Sequence, residues 1–240
     1  MKKIVVIIVN FLCLTLLSLS DTQYKMKGNT VRDESYNFEI ATYTDYKEND
    51  IYIEFPQING LQNRNNERKI NESIKNTVLK DLVYNSKKLY PELQLITTMK
   101  CQVTLHTDEI FSFVLLGTSY IETGMHPNYG VYSMTFNITN GLQLELSDFV
   151  DINEEFIKNI KNAKRATGIP ITIPMMEGVA TATNEQLMDL INSKDDDMLL
   201  KAFKEKWGGY KFYITPDSLV VSVPTYHAAD DFALVELSSK

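Results

Sequence analysis

The sequence predicts an α+β fold: an antiparallel β-sheet of several strands, made of hairpins and a meander, with helices packed against it. Three observations carry this. Residues 111–122, 130–137 and 142–146 form successive β-patterned segments, the last two joined through Thr139-Asn140-Gly141, and Asn-Gly is the strongest short hairpin signal. In the middle segment Val131, Ser133, Thr135 and Asn137 alternate with Tyr132, Met134, Phe136 and Ile138. That period of two gives one large apolar face and one smaller, more polar face, the pattern of a half-buried strand. Between residues 63 and 88 the period becomes helical, with Ile70, Ile74, Val78, Leu82 and Val83 on one stripe and Arg68, Lys69, Lys75 and Lys80 off it.

The elements follow in order. Residues 36–44 and 50–55 are rich in Tyr, Ile and Phe and read as paired strands, the second ended by Pro56, which cannot donate to a ladder. After the long helix, Pro91 marks a break. Residues 93–107 and 110–122 then make a hairpin around Asp108 that leads into the meander. Ser147-Asp148-Phe149-Val150 turns into a second helix, capped by Asn153, with Glu154 and Glu155 in its first turn. Phe156, Ile157, Ile160 and Ala163 form its apolar side, Lys161, Lys164 and Arg165 stand near its end, and Gly168 stops it. Pro170 and Pro174 bracket an extended link. One short helix opens at Asn184, carrying Leu187, Met188, Leu190 and Ile191. Another opens at Asp195, with Met198, Leu199, Ala202, Phe203 and Trp207 inward and Gly208-Gly209 at its end. Residues 210–214, 219–223 and 232–237 read as three closing strands around a Thr215-Pro216-Asp217-Ser218 turn.

Composition limits the partners. The 240 residues are 44% hydrophobic and 23% charged, an ordinary globular balance, with a formal net charge of −7. Acidity disfavours nucleic acid and anionic lipid as partners and favours a cationic one, although the same charge also serves solubility. Lys2 and Lys3 precede an apolar run from Ile4 to Leu19, and Ser18-Leu19-Ser20 supplies small residues for a signal peptidase. Residues 1–20 therefore read as a signal peptide cleaved after Ser20, with an uncleaved membrane anchor as the competing reading. Cleavage removes two lysines and no acid, making the charge two units more negative, −9. The expected location is outside the cell or on the outer face of its membrane, touched only through that N-terminal segment. Cys13 follows a bulky Leu12, which does not suit lipid attachment, and its loss leaves Cys101 as the one thiol. No internal disulfide is then possible, and Cys101 reads as a small buried hydrophobe.

Catalytic signals are lacking. His106, His126 and His227 have no zinc-helix spacing, and no nucleophile elbow, phosphate loop or dinucleotide fingerprint occurs. No catalytic residue, metal or cofactor is expected. Asp195-Asp196-Asp197 lacks the spacing and glycine of a calcium loop and reads as acids in a first helical turn. Nothing marks a carboxylate pair for glycoside chemistry, and Asn71 and Asn137 each open a sequon, which is accidental if the protein is bacterial. The loops at 123–129 and 224–231 are the most chemically distinctive surface. They carry Met125, His126, Pro127, Asn128 and Tyr129 on one side and Pro224, Tyr226 and His227 on the other, with Tyr120 leading in. Aromatic, Pro and His side chains on loops held by strands provide contact area at little entropic cost, so these are the candidate ligand-binding residues. The competing role for them is to close the ends of the sheet.

Several stretches carry a resemblance: Ser119-Tyr120, Thr123-Gly124, His126-Pro127-Asn128, Ser133-x-Thr135-Phe136-Asn137, Asn140-Gly141 and Leu144-x-Leu146-x-Asp148. Phe55-Pro56-x-Ile58-x-Gly60, the run from Phe212 to Asp217, and Pro224-x-Tyr226 add to it. The pattern resembles a bacterial domain-of-unknown-function pair: the extracellular part of RsiV-type anti-sigma factors and the non-catalytic N-terminal region of PdaC-type peptidoglycan deacetylases. Many members have Gly-Gly-Ala before the His, where this chain has Thr-Gly-Met. The resemblance covers residues 35–238, as an N-terminal lobe at 35–110 and a C-terminal lobe at 111–238. It implies a secreted or cell-surface binding module for lysozyme, another cationic protein or cell-wall glycan. Anti-sigma activity is not carried over, because only Met1-Lys2-Lys3 precede the apolar run. One alternative is an accessory domain or enzyme of peptidoglycan or polysaccharide deacetylation, though no His-x-x-x-His arrangement accompanies it. A structural surface protein is the second.

Overall fold

The computed structural model describes residues 36–124, 127–166, 184–207, 210–225 and 231–238. Within them the α+β class is as the sequence predicts. Strands β1 (Asn37–Asp45), β2 (Asp50–Asn59), β3 (Leu95–His106), β4 (Ile110–Ile121), β5 (Asn128–Asn137) and β6 (Leu142–Leu144) lie in that order in a six-stranded sheet. Strands β7 (Lys164–Arg165), β8 (Phe212–Ile214), β9 (Ser218–Pro224) and β10 (Phe232–Ser238) form a second sheet, ordered β7-β10-β9-β8. The first sheet runs from Asn37 to Leu144, across residue 110.

Helix α1 (Arg64–Leu79) continues through a π-helical turn (Lys80–Tyr84) into a short α2 (Asn85–Leu89). Asn63 caps it by accepting from the N–H groups of Asn65 and Asn66. Its stripe of Ile70, Ile74, Val78, Leu82 and Val83 is buried against Ile51, Ile53, Met99, Phe111, Phe113 and Phe136 of the sheet. Each such side chain contributes about 1.5 to 3 kcal/mol relative to exposure. The basic residues off the stripe lie at the surface, where Arg64 pairs with Glu67 and Arg68 with Glu72.

The other face of β4 and β5 differs from expectation. It is not solvated but buried against the second sheet, where Val114, Leu116 and Val131 meet Tyr213, Val220 and Leu234. The second sheet's outer face packs on α3 (Glu154–Lys161), α4 (Asn184–Asn192) and α5 (Asp196–Lys204) through Phe156, Ile160, Ile191, Leu199 and Phe203. The described chain thus forms four layers: helix, sheet, sheet, helices.

Several local readings are corrected. The β2–β3 pair is parallel over Asp50–Ile53 and Ile96–Met99, with α1 as its crossover, while the other pairs are antiparallel. Pro56 lies inside β2, opposite Ile40. It shares parity with Ile58, whose N–H and C=O point away from β1 to the Asn71 side chain, at 2.8 Å each. The missing N–H of Pro56 thus falls on the side away from β1, beyond the residues that pair with β3, and costs no ladder bond. Helix α3 ends at Lys161, and Lys164–Arg165 are a strand opposite Glu236 and Val235. Met198 and Trp207 are each 39% exposed, not inward. Gly168, Pro170, Pro174, Gly208-Gly209 and the N-terminal segment 1–20 lie outside the described residues.

Candidate functional site

Two turns of chain bring the nominated loops together. Tyr120 lies near the end of β4, half-buried and opposite Ile96. Pro127 is half-buried, Asn128 is exposed, and Asn128 and Tyr129 open β5 opposite Ser119 and Thr118. Pro224 ends β9 opposite Phe232. The Tyr129 N–H donates to Asp231 Oδ2 at 2.7 Å, and the Asp231 carbonyl accepts from the Thr225 N–H at 2.8 Å. Asp231 has a φ of 60°, a left-handed conformation that Asp tolerates better than most residues. One residue therefore closes the β9–β10 connection and clamps it to the start of β5. Met125, His126, Tyr226 and His227 lie outside the described residues. Asp231 was not among the nominated residues. An Asp at the end of a loop, just before a strand, is a known turn former, and that was its one sequence signal.

His106 has no place in this site. Its ring sits edge-on to Tyr36, Phe38 and Phe111, with centroids 4.4, 5.2 and 6.0 Å away. Cys101 packs against the first core as expected. Burial, with the Glu54 carboxylate nearby, pushes its thiol well above the ordinary range, which disfavours the nucleophilic thiolate.

Glu54 fills the gap where β2 and β3 stop pairing. It accepts from Lys100 Nζ at 2.8 Å, the Tyr52 hydroxyl at 2.8 Å and the Cys101 N–H at 3.1 Å. Burial works to raise its pKa, but these hydrogen bonds outweigh it and hold the carboxyl below its ordinary value. For Lys100, burial works downward and is outweighed by the Glu54 and Tyr52 partners, so its pKa is raised.

A cleft of about 310 Å³ opens between the sheets at the end opposite the paired loops. Its polar lining includes Gln102 and Thr104 of β3, Tyr213 of β8, Asp217 of the following turn and Glu236 of β10. Val103, Val220, Ala166 and Pro216 supply apolar wall. The β3–β4 register shifts between Val103 and Leu105, so Thr104 is the extra residue of a β-bulge at the mouth. Gln102 Oε1, Thr104 Oγ1 and the Tyr213 hydroxyl are buried without a hydrogen-bonding partner. Burial, and the Glu236 carboxylate beside it, push the Tyr213 pKa up, so its hydroxyl stays a protonated donor.

Among the described residues, no group of three His, Cys, Asp or Glu side chains is placed to hold a metal ion. No described helix is long and apolar enough to cross a membrane. No protein-family model and no curated protein matches the sequence. Solved structures resembling the chain include two bacterial proteins of the DUF3298 family, a domain family of unknown function. One, from Bacteroides fragilis, is 13% identical over 85% of this chain and 91% of its own, with a TM-score of 0.48. The other, from Pseudomonas aeruginosa, is 12% identical over 86% of this chain and 92% of its own, with a TM-score of 0.43.

Proposed function

We propose that this chain is a secreted or cell-surface, non-enzymatic binding module whose recognition surface is built from the β4–β5 and β9–β10 loops. The observation that carries the reading is the Tyr129–Asp231 hydrogen bond of 2.7 Å, which ties the bases of the two loops to each other. Loops anchored on paired strands lose little entropy on binding, and Tyr120, Pro127, Asn128, Tyr129 and Pro224 lie on or beside those strands. Its partner is a cationic protein, steered by the net charge of −9 that signal-peptide cleavage leaves. The RsiV-like sequence pattern favours lysozyme as that protein.

Calorimetric titration with a C-type lysozyme at two salt concentrations tests this. Binding should weaken at higher salt yet persist. Asp231→Asn keeps the fold but weakens the clamp, and should reduce affinity by about three- to tenfold. Loss of all binding at modest salt would reduce the interaction to bulk charge attraction. Absence of binding at both salts would overturn the lysozyme reading.

A further inference from the structure

The cleft between the two sheets lies at the end of the molecule away from the paired loops, and its chemistry is different. Buried polar atoms normally have partners, and each one left without a partner carries a desolvation cost. Here three of the residues that line one cavity carry such an atom: an amide oxygen, a threonine hydroxyl and a tyrosine hydroxyl. Tyr213 is only 2% exposed, so its hydroxyl is built into the wall rather than left at the surface. Thr104 reaches the cleft through a β-bulge, a device that re-aims side chains beside binding sites. By contrast, Thr215 and Ser218 at the same mouth are paired with each other, their hydroxyl oxygens 2.8 Å apart. Three of the five buried side-chain atoms without a partner among the described residues thus belong to residues that line this one cleft.

We propose that this cleft is a binding site for a neutral polyhydroxylated ring, a single saccharide unit. Its volume of about 310 Å³ is at the small end of ligand sites. The lining supplies what a pyranose requires. Gln102 Oε1 accepts a sugar hydroxyl, Tyr213 donates to one, and Thr104 does either. Asp217 and Glu236 present carboxylates that accept hydroxyl hydrogens, and no Lys, Arg or His is among the described lining residues. Anionic ligands are thus disfavoured, while Val103, Val220 and Pro216 meet the C–H faces of the ring. The site is independent of the loop surface, and either proposal stands if the other fails.

Amide chemical shifts of the whole protein, titrated separately with N-acetylglucosamine, methyl β-glucoside and glucuronate, test the proposal. Saturable shifts at residues 102–104 and 213–218 are expected with at least one neutral sugar, and weaker or none with glucuronate. Tyr213→Phe and Thr104→Val should each weaken sugar binding by about three- to tenfold. Tyr213→Phe should leave the thermal midpoint of the free protein unchanged or raised, because it removes a hydroxyl that has no partner. Three results would overturn the assignment: no saturable shift with either neutral sugar, equal binding by both variants, or glucuronate binding as tightly as the neutral sugars. Any of them would leave the orphan atoms served by ordered water alone.

Discussion

At the scale of single residues, the closest constraint lies where three strands cross Gly117. It pairs with Met99 on β3 and with Gly130 on β5. A Cβ at Gly117 would collide with the Thr98 carbonyl oxygen and stand 2.8 Å from Met99 Cα, both backbone atoms that cannot swing aside. A Cβ at Gly130 would meet Met99 Cε at 3.7 Å, ordinary contact with the end of a flexible side chain. Gly117→Ala is therefore expected to cost about 3 kcal/mol or more, whereas Gly130→Ala should stay within about 1 kcal/mol of wild type, helped by a stiffer unfolded chain. Urea midpoints of the two variants decide it, and equal midpoints would mean that β3 and β4 are not this close. An isolated Gly in an apolar strand signals close backbone approach, so the constraint at Gly117 was available from the sequence, although which strand approaches was not. The buried asparagines were less legible. Asn49 accepts from the Leu95 N–H at 3.0 Å, and Asn66 donates to the Thr139 carbonyl at 2.8 Å. In the sequence both look like ordinary turn or cap residues, because their partners are 46 and 73 positions away.

At the scale of elements, β2 and β3 illustrate how a side chain takes over when backbones separate. Their parallel pairing ends at Ile53 and Met99, and the Glu54 carboxylate then holds Cys101 and Lys100 in place of the next ladder bonds. The linkage has a sign at each end of the pH scale. Glu54 has a lowered folded-state pKa, so its contribution is present above the unfolded value of about 4.3 and disappears as pH falls through the folded value. Lys100 has a raised pKa, so its contribution is present below about 10.4 and disappears as pH rises through the folded value. Lys100 is 37% exposed at its side chain, and solvent screening keeps the pair modest. Glu54→Gln should thus lower stability by about 1 to 2 kcal/mol at neutral pH. Its deficit should shrink as pH falls below the unfolded value and through the lowered folded one, where the wild-type carboxylate protonates. Urea denaturation at pH 7 and pH 3 tests this, and a deficit that does not change with pH would assign Glu54 a packing role only. Strand periods here were readable from alternation, as in Val131 to Ile138, and the long helix from its Ile70-Ile74-Val78 stripe. That β2 pairs with β3 in parallel was not, because the pairing depends on α1 carrying the chain back over the sheet, which no local pattern encodes.

At the scale of the whole molecule, the polar face of β4 and β5 is the decisive feature. Ser133 and Thr135 gave their face of β5 the look of a solvated surface in the sequence, yet Thr135 and its β4 neighbour Ser112 are fully buried between the sheets. Their polarity is used across the layers. Ser112 Oγ accepts from the Ile214 N–H at 3.0 Å and shares a hydrogen bond with Thr135 Oγ1 at 2.9 Å, while Ser133 Oγ donates to the Phe212 carbonyl. Alternation reports polarity, not exposure, and a buried face with satisfied hydroxyls is indistinguishable in sequence from a wet one. The paired loops at one end and the cleft at the other are both held by this junction, so each depends on the two sheets forming one unit. Ser112→Ala would leave the Ile214 N–H and the Thr135 hydroxyl unpaired in an apolar layer, at a cost of about 2 to 3 kcal/mol. In a chain of this size that corresponds to a fall of about 4 to 12 °C in Tm. If the sheets are energetically one body, scanning calorimetry will show a single transition that moves down as a whole. Two transitions, with only one displaced by Ser112→Ala, would show instead that each sheet folds with its own helices and that the shared layer contributes little.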